Sequence, residues 1–326
     1  MFAFDCRLCP NRQVTGGGLE VAGEVSLAVA AKASAENFPV ALRVLPARLR
    51  RHLTAYYGFA RLTDDIGDEP LPGFSEQILS EQGPGSSGSG PGDPGERERA
   101  IRIRLLDELE ADIRKIYAAG QEPELPAIRA LGETVRATGI PLASLAELIQ
   151  ANRQDQLVTR YQGYDDLVRY CELSANPVGQ AVLYIVGAAT PERIALSDKI
   201  CTALQLVEHW QDVAEDLRNG RVYLPQEDLE AHGVAEEDLA RPTASQAVIS
   251  LMTFETERAT RLLDEGAPLA GTLSGFARVA ISGYIAGGRA ALKAIRQQGY
   301  NVLAATPKPG KAATLTGLVS CYVRGR

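Results

Sequence analysis

Three carboxylates recur at intervals of four residues in the segment EHWQDVAED. Glu208, Asp212 and Asp216 would share one face of a helix, since four residues advance a helix by slightly more than one turn. Like charges at this spacing repel one another, and no Lys or Arg lies within this acidic column. The pattern indicates that a cation from outside the chain neutralises the column.

A second acidic cluster lies in YYGFARLTDDIGDE, residues 56–69. Steps of three and four residues place an aromatic ring, a guanidinium and carboxylates along one helical face: Tyr57, Arg61, either Asp64 or Asp65, and Asp68, with Glu69 at the acidic end. Mg²⁺ binds carboxylate oxygens, typically from one or two side chains, together with water and phosphate oxygens. If the two clusters face one another, the sequence predicts a Mg²⁺ site for a phosphorylated substrate, with Mn²⁺ as the alternative ion.

Each acidic face also has a simpler interpretation as solvated surface. That interpretation loses weight because each cluster has an Arg and a Tyr nearby, Arg61 with Tyr57 and Arg221 with Tyr223. A di-iron centre is disfavoured because its Glu-x-x-His ligands are missing, and the sequence contains no G-x-x-x-x-G-K-[ST] phosphate loop. The favoured chemistry is loss of diphosphate inside an apolar helical bundle, which keeps water away from the resulting carbocation.

Helices are the elements predicted to carry these clusters. Apolar residues recur at helical spacing in windows at about 40–67, 97–119, 125–138, 141–153, 164–173, 177–189, 194–218, 244–268 and 272–298. Strand-like alternation is scarce. We therefore expect an all-α fold, a single-domain helical bundle with a central apolar cavity.

Composition limits the cellular context. The net charge of −7 argues against a nucleic-acid partner, and no run of about 18 apolar residues predicts a transmembrane helix. The N-terminus does not resemble a secretory signal, and the cysteines are odd in number and mostly scattered, so a cytoplasmic protein is expected. Cys6 and Cys9 form one CxxC, for which a place in a frayed extension is favoured over a structural zinc site.

The predicted helical domain spans 25–303, between a flexible extension at 1–24 and a tail at 304–326. Residues 70–96 are rich in Gly, Ser and Pro, and their second half is not expected to hold a helix. A tolerated surface insertion is favoured there over a flap above the site. Lys308 and Lys311 in the tail could fold back over an anion.

Three motifs carry a family resemblance: YGFARLTDDIGDE (57–69), TRYQGYDDLVRYCELSANPVG (159–179) and QLVEHWQDVAEDLRNGRVYLP (205–225). The last has the form D-x-x-x-D-x-x-x-x-G-R-x-Y-x-P. From about residue 25 to 311 the chain resembles the squalene/phytoene synthase family, the trans-isoprenyl diphosphate head-to-head synthases. The resemblance implies an isoprenoid-synthase-type bundle.

Within this family the chain is most similar to the hydroxysqualene synthase branch of bacterial hopanoid pathways. ENFPV (36–40) and Trp210-Gln211-Asp212 carry that similarity. It implies conversion of presqualene diphosphate and water to hydroxysqualene and diphosphate, a carbon–oxygen lyase reaction with no NADPH expected. Gln211 replaces an Arg, which fits a site for one prenyl diphosphate. The alternatives are condensation of two prenyl diphosphates to presqualene diphosphate or phytoene, and a non-catalytic scaffold of a lipid pathway.

The resemblance also implies residue roles, to which cation–π stabilisation by Tyr57 and Tyr284 is added. Expected metal ligands are Asp64, Asp65, Asp68, Glu69, Glu208, Asp212 and Asp216. Expected diphosphate ligands are Arg61, Gln211, Arg221 and Asn176, and the expected catalytic group comprises Tyr57, Arg61, Gln205, Tyr223 and Tyr284. Glu208 departs from the usual Asn, which leaves the number of Mg²⁺ ions open.

The resemblance implies a prenyl diphosphate as the substrate, and it is compatible with transient contact with other squalene-pathway enzymes. Peripheral contact with the inner face of the membrane would use Leu42, Leu45, Leu49 and Leu53 beside Arg43, Arg48, Arg50 and Arg51. The same spacing also describes an ordinary core helix, which is the stronger interpretation.

Overall fold

The computed structural model describes residues 46–68, 94–308 and 320–325. Its Cα positions group into two compact units, Phe2–Leu157 and Val158–Arg326. Within the described ranges there is no β-strand, only an isolated bridge between Arg160 and Val222. The predicted all-α class is confirmed, whereas the central apolar cavity stays a prediction.

The first unit contains α1 (Ala47–Asp68), α2 (Pro94–Lys115), α3 (Pro126–Thr138) and α4 (Leu142–Asp155). α1 packs on the other three helices. Phe59, Leu62 and Ile66 are fully buried along one face of α1, as helical spacing requires. This packing leaves the carboxylates near the end of α1 on a helix with a fixed position in its unit.

The second unit contains α5 (Tyr164–Ser174), α6 (Asn176–Ile185), α7 (Pro191–Arg218), α8 (Gln226–Ala231), α9 (Glu236–Leu239), α10 (Gln246–Gly266), α11 (Leu269–Thr272) and α12 (Gly275–Gln297). α7, at 28 residues, contacts α5, α6, α10 and α12. It begins where the Thr190 side chain accepts a hydrogen bond from the Arg193 amide at 3.3 Å, with Pro191 in the first turn. A long helix packed on several neighbours is a rigid support for side chains along its length.

The predicted windows agree with the longer helices. α8, α9 and α11 were missed because helices of six, four and four residues are too short to show a 3.6-residue period. α2 begins at Pro94, inside the segment 70–96 whose second half was not expected to be helical. Residues 320–324 form a helical turn within the predicted tail.

Some predictions fall outside the described residues: the extension 1–24 with Cys6 and Cys9, most of the insertion, Glu69, and the residues Leu42, Arg43, Leu45 and Lys311. Leu49 and Leu53 are partly buried on α1. No helix in the part of the chain that the structure describes is long and apolar enough to cross a membrane.

Candidate functional site

The acidic column lies on α7, in its last three turns. Glu208, Asp212 and Asp216 are each partly buried. Burial, followed by the charge of Glu208, raises the pKa of Asp212. Burial, followed by the charge of Asp212, raises the pKa of Asp216 to about 7. The column is therefore short of positive charge, as the sequence predicts, and a bound cation would stabilise its ionised form.

A tight turn after α7 brings Arg221 back toward the column. Gly220 adopts a φ of 77°, in the left-handed region that favours glycine, and the amide of Arg221 donates to the carbonyl of Asp216 at 2.8 Å. Arg160 holds this turn from the neighbouring segment, because its guanidinium donates to the Gly220 carbonyl at 2.6 Å and pairs with Glu236 at 2.8 Å. The turn fixes the backbone of Arg221 beside the last carboxylate of the column.

Tyr223 lies in a cluster of buried rings. The amide of Val222 donates to the Thr159 carbonyl at 2.9 Å, which ties the segment of Tyr223 to that of Tyr161. The rings of Tyr161 and Tyr223 are stacked with centroids 5.8 Å apart, and Tyr170 lies 5.9 Å from Tyr223. Tyr161 and Tyr170 are buried, so their rings form part of the core of the second unit.

His209 completes this ring cluster from α7. Its ring stacks on that of Tyr223 with centroids 3.7 Å apart. Burial, followed by the charge of Arg221, lowers the pKa of His209 to about 3, so the imidazole is neutral near pH 7. His209, Asp216, Arg221 and Tyr223 line a cavity of about 10 Å³, close to the size that holds one water molecule.

The Arg221 guanidinium donates to the Tyr223 hydroxyl at 3.1 Å. Together with the acidic column, these two side chains place a row of carboxylates and a guanidinium on adjoining segments of the second unit. That combination is suited to a metal–diphosphate complex.

Two predicted glutamines have partners within the second unit. The Gln205 amide nitrogen lies 3.3 Å from Nε2 of His209. Gln211 donates from its amide to the Pro307 carbonyl, so it ties α7 to the first residues of the tail. Lys308 follows directly, and its charge acts to lower the pKa of Asp212 against the larger upward effect of burial. That Lys308 folds back over an anion stays a prediction.

Asn176 and Tyr284 have different surroundings. Asn176 is buried, and its side-chain oxygen accepts a hydrogen bond from Thr202 at 2.9 Å, which links α6 to α7. Tyr284 lies on α12 with its side chain 43% exposed, so its ring is accessible to a ligand. The expected roles of both residues stay predictions.

The first unit carries the other cluster on α1. Asp64 is accessible to solvent, although the protein around it still desolvates its carboxylate. This desolvation, followed by the charge of Asp68, raises the pKa of Asp64 to about 7, and Asn152 donates to it at a long 3.5 Å. An accessible carboxylate with a raised pKa is suited to a cation ligand.

Asp65 differs from its neighbour. Its side chain is 5% exposed and forms an ion pair with Arg61 at 2.8 Å. Among the expected metal ligands on α1, Asp65 is therefore the least available, and it orients Arg61 instead. Tyr57 is half-buried on the same helix.

The C-terminal end of α1 is held by a side chain from α2 and by one from the residue that follows α4. Arg102 donates to the Ile66 carbonyl at 2.7 Å, and Gln156 donates to the Gly67 carbonyl at 3.1 Å. A Cβ at Gly67 would lie 2.1 Å from the side-chain oxygen of Asn152, so glycine permits the close approach of α4. These contacts position the helix end that carries Asp64 and Asp68.

The donors present fit Mg²⁺. Carboxylates are hard oxygen ligands, and one or two of them per ion suffice when phosphate and water complete the coordination. Within the described ranges, no group of three or more His, Cys, Asp and Glu side chains is close enough to hold a metal ion by itself. A pair of carboxylates from either cluster, completed by the substrate's phosphates, is the arrangement compatible with this spacing.

The family assignment follows from comparison with known proteins. The family model of squalene/phytoene synthases matches residues 31–314, a range that runs through both units. The chain belongs to the squalene/phytoene synthase family. Hydroxysqualene synthase from Rhodopseudomonas palustris is 33% identical over 244 residues, 74% of this chain and 72% of that relative. A phytoene synthase from Mycobacterium bovis is 27% identical over 231 residues, 70% of this chain and 67% of the relative.

A solved structure agrees with this assignment. The squalene synthase from Alicyclobacillus acidocaldarius matches with a TM-score of 0.69 and 35% sequence identity, covering 87% of this chain and 95% of that one. The family predicted from the three motifs is thus confirmed, together with the isoprenoid-synthase type of fold.

Sequence reasoning missed three residues that shape the site. Arg160 donates to the backbone of Gly220, 60 residues later in the sequence, and Asn152 donates to the side chain of Asp64, 88 residues earlier. Because these partners are far apart in sequence, no local pattern indicates either residue. His209 had a local signal, because it lies between Glu208 and Asp212 in the motif. Its position among the apolar residues of α7 would have predicted a buried ring.

Proposed function

We propose that the protein converts presqualene diphosphate and water to hydroxysqualene and diphosphate. The observation that carries this proposal is the acidic column, with raised pKa values at Asp212 and Asp216, adjoining the turn that carries Arg221. The 33% identity to a hydroxysqualene synthase supports the choice of reaction within the family.

In this proposal Arg221 and Tyr223 bind the diphosphate of the substrate. A guanidinium is planar and permanently charged, and its fork of N–H groups matches the oxygens of a phosphate group; one of these groups donates to the Tyr223 hydroxyl. The stacked rings around Tyr223 keep its hydroxyl in place, so the guanidinium is presented in a defined orientation.

Asp212 and Asp216 would hold Mg²⁺ in the second unit, and Asp64 and Asp68 are the corresponding pair on α1. Mg²⁺, when bound, stabilises the negative charge that develops on the departing diphosphate. The carboxylates have raised pKa values because they are desolvated and close to one another, so they gain from a cation more than isolated surface acids do. That both clusters act on one diphosphate stays a prediction of the sequence.

The carbocation left after ionisation needs apolar and aromatic surroundings. Tyr284 is an accessible ring on α12, and ring faces attract cations. Tyr57 on α1 is the second aromatic residue proposed for this role. No nicotinamide cofactor is required, because capture of the cation by water needs no hydride.

A second reaction has support from one observation. The relatives include a phytoene synthase at 27% identity, so condensation of two prenyl diphosphates is the alternative. Gln211 favours the first reaction because, tied to the Pro307 carbonyl, it adds no positive charge for a second diphosphate.

A product assay tests the proposal. Purified protein with Mg²⁺ and no reductant receives presqualene diphosphate or farnesyl diphosphate, and the organic products are identified by mass spectrometry. We expect hydroxysqualene from the first substrate only. Presqualene diphosphate formed from farnesyl diphosphate would favour the condensing reaction.

A pair of matched variants tests whether the acidic column is required for turnover. Asp212→Asn should abolish turnover. Asp264 lies on the exposed surface of α10, where it pairs with Arg289, so Asp264→Asn should leave turnover unchanged. Equal activity in both variants would contradict the role of the acidic column.

A further inference from the structure

His209 directly follows Glu208 on α7, and because one residue turns a helix by about 100°, its side chain lies on a different face from the acidic column. Its side chain is 6% exposed, and its ring stacks on that of Tyr223 with centroids 3.7 Å apart and 12° between the ring planes. This is the closest ring pair in the cluster, since the other pairs that include Tyr223 are 5.8 and 5.9 Å apart. The two rings therefore restrict each other's position.

The imidazole is also held in its own plane. Gln205, one turn earlier on α7, places its amide nitrogen 3.3 Å from Nε2 of His209. An amide N–H donates to that nitrogen when the ring proton is on Nδ1, so this contact selects one tautomer and opposes rotation of the ring. Both residues are on α7, a long helix packed on several others, so the ring is attached to a rigid support.

The hydroxyl of Tyr223 contacts Arg221, the residue proposed to bind diphosphate. This hydroxyl accepts a hydrogen bond from Arg221 at 3.1 Å. Arg221 follows the left-handed turn at Gly220, and its long side chain has several rotatable bonds, whose ordering costs free energy on binding. The nearby carboxylate of Asp216 offers this guanidinium a competing partner, since the charge of Arg221 is felt at Asp216. The bond to Tyr223 opposes that competition.

A continuous series of contacts thus runs from Gln205 through His209 and Tyr223 to Arg221. We propose that His209 is a positioning residue, which by stacking on Tyr223 holds Arg221 in the orientation that binds a diphosphate group. This inference rests on the proposed function, in which Arg221 contacts the diphosphate. His209 itself contacts neither substrate nor metal in this proposal.

The experiment measures binding of inorganic diphosphate in the presence of Mg²⁺ by calorimetry, so it needs no turnover. The proteins compared are the wild type, H209L, H209F, R221A and the double variant H209L/R221A. Loss of the stacked ring in H209L should weaken binding by up to about 10-fold, the upper end of the effect expected for one stacked aromatic pair. H209F keeps a flat ring and should stay within about twofold of the wild type.

The double variant separates positioning from simple packing. If His209 acts through Arg221, H209L should cause no further loss once Arg221 is absent, because residues that act through one another are not additive. H232L is the matched control. It removes another partly buried imidazole, whose ring lies 5.3 Å from that of Phe254, and diphosphate binding should not change.

The inference is overturned if H209L weakens diphosphate binding equally with and without Arg221, or if H209F loses as much as H209L. Should H209L fail to fold, H209Q replaces it in the same cycle, because this change removes the stacked ring and keeps a polar side chain at the position. Unchanged binding in H209Q would then overturn the inference. A wild type that does not bind diphosphate with Mg²⁺ would overturn the proposed function as well, whereas unchanged binding in H209L overturns this inference alone.

Discussion

Divalent cations should bind the acidic column more weakly as the pH falls from about 8 to about 6. The pKa of Asp216 is raised to about 7 by burial and by the charge of Asp212, so its carboxylate changes from mostly ionised to mostly protonated over this interval. A proton competes with the cation for the same oxygens. From Asp216 alone, the apparent dissociation constant should rise about 10-fold across these two pH units.

The assay uses Mn²⁺, which accepts the same carboxylate ligands and whose free ion is counted by electron paramagnetic resonance. Mn²⁺ is titrated without diphosphate, because diphosphate ionises in the same pH range. Asp216→Asn should weaken binding and reduce its pH dependence. Asp212→Asn should also weaken binding but shift the remaining pH dependence to lower pH, because it removes a negative charge that raises the pKa of Asp216.

A dissociation constant that stays flat between about pH 6 and 8 in the wild type would refute the reasoning. So would an Asp216→Asn variant with the pH dependence of the wild type, since another group would then be responsible. Asp64, whose pKa is also raised to about 7, would be that group, and Asp64→Asn tests it in the same way.

Three further predictions concern the stability of the fold and the contacts that hold the site residues. Arg160→Ala removes two hydrogen bonds to backbone carbonyls and the ion pair with Glu236, and it should lower the free energy of unfolding by about 1–2 kcal/mol in chemical denaturation. Glu236→Gln, as its control, removes only the ion pair and should cost less. Burial raises the pKa of Glu255 to about 8 in the folded protein, above its value in the unfolded chain. The protonated side chain therefore contributes its full stabilisation at a pH below the pKa of the unfolded chain, and this contribution is lost as the pH rises toward 8. Glu255→Gln should therefore flatten the fall of the melting temperature between about pH 5 and 8, and a parallel fall in both proteins would contradict this. Gln211→Leu removes the donor to the Pro307 carbonyl and should speed amide exchange at 301–308 by about fivefold in hydrogen-exchange mass spectrometry, while exchange in α10 stays unchanged.

The helical class could be predicted because long amphipathic segments carry a repeated signal. α7 shows this well: Pro191 follows a Thr cap, apolar residues recur along the helix, and Gly220 follows its end. Four-residue spacing then fixes which carboxylates share a face, so the acidic column followed directly from the helix. The short helices α8, α9 and α11 carry too few residues to repeat a period, and they form because the segments around them are already packed.

The partners of the site residues were less predictable. Asp64 and Asp65 are adjacent acids with the same side chain, and the sequence treated them as alternatives for one face. The structure separates them, since a helix turns by about 100° per residue. Asp65 is buried against Arg61, whereas Asp64 is accessible, so only the packing of α1 distinguishes an ion-pair partner from a candidate ligand.

By itself the sequence determined the family of this protein, its helical class and the two groups of carboxylates with their nearby Arg and Tyr residues. These depend on residue type and on local spacing, which a helix converts directly into geometry. The tertiary structure decided which side chains hold those groups in place, as Arg160 does at the turn after α7 and His209 does beneath Tyr223. Such contacts join segments far apart in the chain or depend on how closely rings pack, and neither property is encoded in local periodicity.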